Sequence, residues 1–358
     1  MARSSGGLKR SDWNATLGSI LSLDFSGPPT PKRRAALEKR LARLRAIERS
    51  AASATIAFQR AAKAPEPIPL RLRPGFVYLA EPAPGGSDRR VPPRASRPPA
   101  TQISTSRGAA LRLELIALAL AQARHRPGMR AANPLPLLPD RAAAKPLGWV
   151  DLIASPATHH SGKVSTTVND KKIRQLQNGL DRLEDAGLVL FPHREDARNS
   201  REGFELLDER GRLGRPGLSP LEYRVPMTSR DPVFEMPAGF VANGWIHLLE
   251  DSEISLLLMV ACGYGRNPGE GDWVAVPGDV RLLQYGISRD AFDAHRLLNR
   301  SGLLSVFESG RRDDGRAIGY NEDDGEAHLH RLQLLRQGFD SPAFSTLTSA
   351  IEEDLAWS

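Results

Sequence analysis

At 358 residues, 40% hydrophobic and 6% aromatic, the chain is long enough for two domains of ordinary size with segments to spare. Its one cysteine, Cys262, excludes an internal disulfide framework and any multi-cysteine zinc finger, and its place at the end of the apolar run 254–261 makes it a buried thiol. The net charge of +7 favours a polyanionic partner, but the charge is segregated: Lys and Arg outnumber Asp and Glu 19 to 7 over residues 1–103 and 20 to 14 over 104–230, and are outnumbered 10 to 21 over 231–358.

The opening MARSSGGLKRSDW lacks the apolar stretch of a secretory signal. No run approaches the roughly 18 apolar residues of a membrane span, so a soluble, cytoplasmic protein without membrane contact is expected. Residues 1–30 are expected to be disordered or weakly ordered. Residues 31–63 read as a basic helix, with Thr30 as its cap, Pro31 in a first-turn position, and Leu37, Leu41, Leu44, Ile47 and Ile56 near helical spacing. That stripe is too narrow for a core of its own, so the helix docks on its own protein or on a copy of itself, the alternative being an arm along phosphates. Residues 64–103 are rich in proline and read as a linker. In it, residues 70–79 form an extended piece, and Arg89, Arg90, Arg94 and Arg97 stay solvated or touch phosphate nonspecifically.

A first unit is expected over 104–230. Its elements are a buried helix in ALRLELIALALAQARHR, a short helix over Leu147–Ala154, and a third in DKKIRQLQNGLDRLEDAG, capped by Asn169 or Asp170 and ended by Gly187. A strand at Leu188–Pro192, a long polar excursion and a returning strand at Leu221–Val225 follow. The same order recurs over 231–358: a small strand at Phe240–His247, a helix in EISLLLMVACGYG capped by Ser252, a second over Ala275–Tyr285, a third capped by Ser288, and a hairpin of Leu303–Glu308 with His328–Leu335. A helix over Pro342–Trp357 closes the chain. Aligning Gly187 with Gly302 sets Leu183 on Leu298 and Leu188 on Leu303, so the junction repeats once.

The expected fold is therefore mainly α with small β hairpins, an α+β class. Three helices followed by a hairpin, twice over, with the junctions DRLEDAGLVLF and HRLLNRSGLLSVF, resemble the winged helix-turn-helix superfamily. The tandem arrangement resembles bacterial plasmid replication initiators. The resemblance implies a third helix lying in the DNA major groove and a role in replication initiation or transcription regulation. The alternative is a protein-interaction scaffold that keeps the fold without DNA.

In the first unit, Lys171, Lys172, Arg174, Gln175 and Asn178 supply donors and amides suited to phosphates and base edges, with Ser165, Thr166 and Thr167 just before the helix. Acidic residues interleave the arginines of the excursion, and of these Arg210, Arg212 and Arg215 are the ones expected to reach phosphate. In the second unit Arg289, Arg296, Arg300, Arg311 and Arg312 form a basic patch, with His295 and Arg316 beside it, on an acidic background that favours dimerisation or a protein partner. Duplex DNA is the expected partner, with a homodimer as a second. The run Glu322, Asp323, Asp324, Glu326, His328 and His330 reads as a solvated acidic tip rather than a metal site. His159, His160 and Ser161 lack an orienting carboxylate, and GYGRNPGEGDW lacks the lysine of a phosphate loop. No catalytic site and no cofactor are expected.

Overall fold

The computed structural model describes residues 30–87, 90–105, 109–140, 142, 144, 146–155, 168–196, 200–212, 221–264, 266, 273–307 and 330–357. The weakly ordered terminus expected over 1–30 lies, but for Thr30, outside the described residues. What is described is mostly helical, with small antiparallel sheets of two or three strands. No helix among the described residues is long and apolar enough to cross a membrane.

Helix α1 (Pro31–Ala62) starts where the sequence predicts: Pro31 occupies the first turn and the Arg33 N–H donates to Thr30 Oγ1 at 3.3 Å. Leu41 and Leu44 bury its first half. In the second half Ala51, Ala54, Ala57 and Ala61 present a flat face that lets the helix lie close to the core. It docks on its own protein.

The expected linker is not loose. Strand β1 (Leu70–Leu72) pairs antiparallel with a strand more than 160 residues away, Leu70 facing Met236 and Leu72 facing Phe234. On its other edge, Gln122 stands in for a strand, accepting from the Arg71 N–H at 2.9 Å and donating to the Arg71 carbonyl at 2.7 Å. The prolines work as starters: Pro74 opens a 3-10 turn to Phe76 and Pro99 opens α2 (Pro99–Ile103). Leu70, Leu72, Phe76, Val77 and Ile103, between them, are all buried.

Helix α3 (Ala110–Arg124) is apolar on nearly every side and lies in the core, as its composition predicts. A 3-10 turn at Trp149–Asp151 stands where a short helix is expected, with Trp149, Leu152 and Ile153 buried. Helix α4 (Val168–Ala186) lies against α3 through Leu176, Leu180 and Leu183. Strand β2 (Val189–Leu190) then pairs with β3 (Glu205–Leu206). Here the structure corrects the expected hairpin: the chain returns at Glu205, and the 221–225 segment adds the next line through the bridges Leu207–Glu222 and Arg130–Arg224.

After β4 (Phe234–Met236), the expected strand at 240–247 is replaced by two helical turns, α5 (Gly239–Ala242) and α6 (Trp245–Leu248). Gly244 separates them at φ 81°, a conformation that interrupts an extended run. Helix α7 (Asp251–Gly263) has Glu250, not Ser252, at its N-cap position, and the Glu250 N–H donates to Glu253 Oε2 at 2.6 Å. The expected second helix gives up its start to β5 (Val274–Ala275), and Pro277 opens the shorter α8 (Gly278–Leu283). The third breaks into α9 (Arg289–Phe292) and α10 (His295–Arg300), with Ser288 capping α9 as predicted, its Oγ accepting from the Ala291 N–H at 3.2 Å. Strands β6 (Leu304–Phe307) and β7 (Arg331–Leu334) join β5 in the order β5-β7-β6. Helix α11 (Ala343–Ala356) packs on α1.

The repeated junction recurs bond for bond. Gly187 (φ 73°) and Gly302 (φ 69°) end their helices in the left-handed region, which glycine adopts without a Cβ clash. Leu188 N–H donates to Leu183 O at 2.8 Å and Leu303 N–H to Leu298 O at 2.9 Å; all four leucines are fully buried. A single hydrophobic core joins α1, the helices and strands on either side of both glycine junctions, and the 70–103 segment.

Candidate nucleic-acid interface

Helix α4 is strongly amphipathic, and its leucines set which residues face out. The exposed positions Arg174, Asn178 and Arg182 recur every four residues and form one stripe, about 12 Å from first to last at 1.5 Å per residue. Lys171, Lys172 and Gln175 flank this stripe and are half-buried. Gln175 is held in place, its Oε1 accepting from Ser155 Oγ at 2.7 Å. Thr166 and Thr167 lie outside the described residues.

The other flank of α4 is acidic and is occupied. Arg201 makes a two-pronged ion pair with Asp181, at 2.6 and 3.0 Å, and Arg194 pairs with Glu184. Arg194 and Arg201 of the excursion are thus held against α4. Arg210, expected to reach phosphate, is instead forked onto Asp208 at 2.8 and 2.7 Å and packs beside Gly75. Arg212 is exposed and donates to the Glu184 carbonyl at 3.4 Å, while Arg215 lies outside the described residues.

Beneath this unit lies a buried polar network that no sequence motif announces. Arg73 donates from its backbone and guanidinium to Glu209, at 3.0 and 2.8 Å, and reaches Asp231 at 3.2 Å. Burial pushes the Glu209 carboxyl up, against the pull of Arg73. Glu114, on α3, is fully buried with no hydrogen-bond partner for either oxygen, and burial together with Glu209 holds its carboxyl well above the usual range. This network ties the 70–103 segment to the sheet beside α4.

A basic group that the sequence alone assigns to a loose linker adjoins the stripe. The 3-10 turn Arg94–Ser96 packs on α2, and α2 packs on α4. Arg94 Nε donates to Gln102 O at 2.6 Å and a second guanidinium nitrogen to Ser104 O; Arg97 Nε donates to Pro92 O at 2.8 Å. Burial, then the positive charges of Arg182 and Arg97, push the Arg94 guanidinium below its ordinary value.

In the second unit, Arg289 and Arg296 are exposed on α9 and α10, but Arg300 turns inward to Asp354 at 3.1 Å. His295 is buried against Phe292. Arg311, Arg312 and most of the acidic run lie outside the described residues. Four carboxylates of this unit meet α1: Arg33 pairs with Asp354, Arg40 with Glu250 and Glu253, Arg43 with Glu250 and Arg45 with Glu352.

No protein-family model, no curated protein and no solved structure matches this chain.

Proposed function

We propose that this chain binds duplex DNA through two winged-helix units in tandem, in the service of replication initiation or transcription regulation, with α4 as the principal contact. The observation that carries this reading is the Arg174–Asn178–Arg182 stripe: donors for phosphates and an amide for base edges, on a helix seated in the core by its leucines and followed at once by a hairpin. The repeated glycine junction and the β5-β7-β6 sheet, in which a short strand precedes the second helix, support a tandem of related units.

The test is selection of bound duplexes by the full chain, followed by a salt titration on the winner. A recovered consensus, with affinity falling steeply with salt, is the expected result. Replacing Lys171, Lys172 and Arg174 together by alanine should weaken binding and flatten the salt slope by roughly 0.9 for each phosphate no longer neutralised. Unchanged affinity and slope in that folded variant would sink the assignment of α4.

A further inference from the structure

We propose that Arg94 and Arg97 of the proline-rich segment join Arg182 of α4 in one fixed phosphate-gripping edge for duplex DNA, continuous with the Arg174–Asn178 stripe. The inference rests on the DNA-binding reading of α4 and extends its surface across the seam between the two units.

Three observations carry it. First, the segment is held rigidly: Thr101 Oγ1 donates to Tyr285 O at 3.1 Å, Arg97 packs on Gly286 of the second unit, and α2 packs on α4 on the other side. Second, the bonds that orient Arg94 and Arg97 run to backbone carbonyls, which aim a guanidinium without neutralising it. Arg182 is exposed with no hydrogen bond or ion pair among the described residues. Third, most nearby carboxylates are already engaged. Asp251, the one close to Arg94, pairs with Arg112 at 3.1 Å and accepts from the Thr105 N–H at 2.8 Å; Asp181 and Glu184 are taken by Arg201 and Arg194. Asp185, exposed one turn beyond Arg182, marks where the positive run ends.

Like charges gathered in the absence of an anion repel one another, and a phosphate placed among them relieves that repulsion while accepting charge-assisted hydrogen bonds. Arginine suits this role because its planar fork matches phosphate oxygens. A sugar-phosphate backbone crossing from α4 toward Tyr285–Gly286 would run along all three.

The experiment measures duplex affinity of the full chain against salt by fluorescence anisotropy, for the wild type, Arg182→Gln, and the double variant Arg94→Gln with Arg97→Gln. Each variant should bind several-fold more weakly at about 0.1 M salt and flatten the slope by about 0.9 per phosphate released, with the ranking of duplexes kept. Arg182→Gln touches no internal bond, so it carries the test even if the double variant melts early. Wild-type slopes in Arg182→Gln, alongside a flattened slope in the Lys171, Lys172 and Arg174 triple variant, would overturn this edge and leave the α4 reading standing. Absence of duplex binding by the wild-type chain would overturn both.

Discussion

Helix α1 and helix α4 are both rich in cations, and they use them in opposite ways. On α1, Arg33, Arg40, Arg43 and Arg45 each end on a carboxylate of the second unit, and Arg34 donates to Leu355 O at 3.0 Å. On α4, Arg174 and Arg182 face solvent, and Arg94 and Arg97, on the segment packed beside α4, are held by carbonyls. A regional charge balance therefore does not locate an anion-binding surface. What locates it is which cations lack an internal anion. The basic helix α1 turns out to pair with four carboxylates of the acidic part of the same chain, Glu250, Glu253, Glu352 and Asp354, while Arg289 stays exposed elsewhere.

The contrast breaks most visibly if an α1 arginine is removed. Arg40→Met strips a guanidinium that donates to Glu250, to Glu253 and to the Leu248 carbonyl, its side chain 11% exposed against 6% for Glu253. Burial already raises the Glu253 carboxyl, and Arg40 is what opposes that rise. Urea unfolding should show a loss of about 3–5 kcal/mol, the cost of leaving a buried charge unpaired. A loss under about 1 kcal/mol, the range of an exposed pair, would mean that the α1 ion pairs are incidental.

A middle-sized effect comes from the network beneath α4. The folded-state value of Glu114 is raised, so its contribution to stability is present below the ordinary carboxylate range and is lost as pH rises through the folded value. Glu114→Leu should remove that decline and raise neutral-pH stability by roughly 1–3 kcal/mol. His247 works with the opposite sign: burial, then Arg112, lowers it to about 3, so stability falls as pH drops from about 6.5 toward that value. Thermal midpoints from about pH 4 to 8 check both, and a variant curve parallel to the wild type's would contradict the assignment to Glu114.

The smallest effect is expected at the rim of α1. Arg45 and Glu352 are 62% and 51% exposed, so Arg45→Ala should cost about 0–1 kcal/mol in the same urea assay despite a pair at 2.8 Å. A cost near that of Arg40→Met would show that α1 is held by its whole charged face rather than by its buried arginine.

Local patterns are legible in the sequence. The Gly187 and Gly302 junctions, the Thr30 and Ser288 caps and the burial of Cys262 each depend on a few neighbouring residues. What the sequence hides is non-local. Nothing near Leu70 signals that Met236 will pair with it, so prolines that start turns read as the breakers of a linker. Arg182 belongs to the α4 stripe by simple periodicity, yet its companions Arg94 and Arg97 arrive from more than 80 residues away. Arg210 illustrates the reverse: its Asp208 partner is two residues upstream, visible in the sequence, and the fork between them removes it from the phosphate set.

If cations without an internal anion, rather than the regional sum, bind DNA, then removing two positive charges from each helix must have unequal consequences for the salt slope of duplex binding. Arg43→Gln with Arg45→Gln on α1 should leave the slope at its wild-type value, whereas Arg174→Gln with Arg182→Gln on α4 should flatten it by about two units. Equal flattening by both pairs would contradict the account, because overall charge would then be enough to explain the attraction.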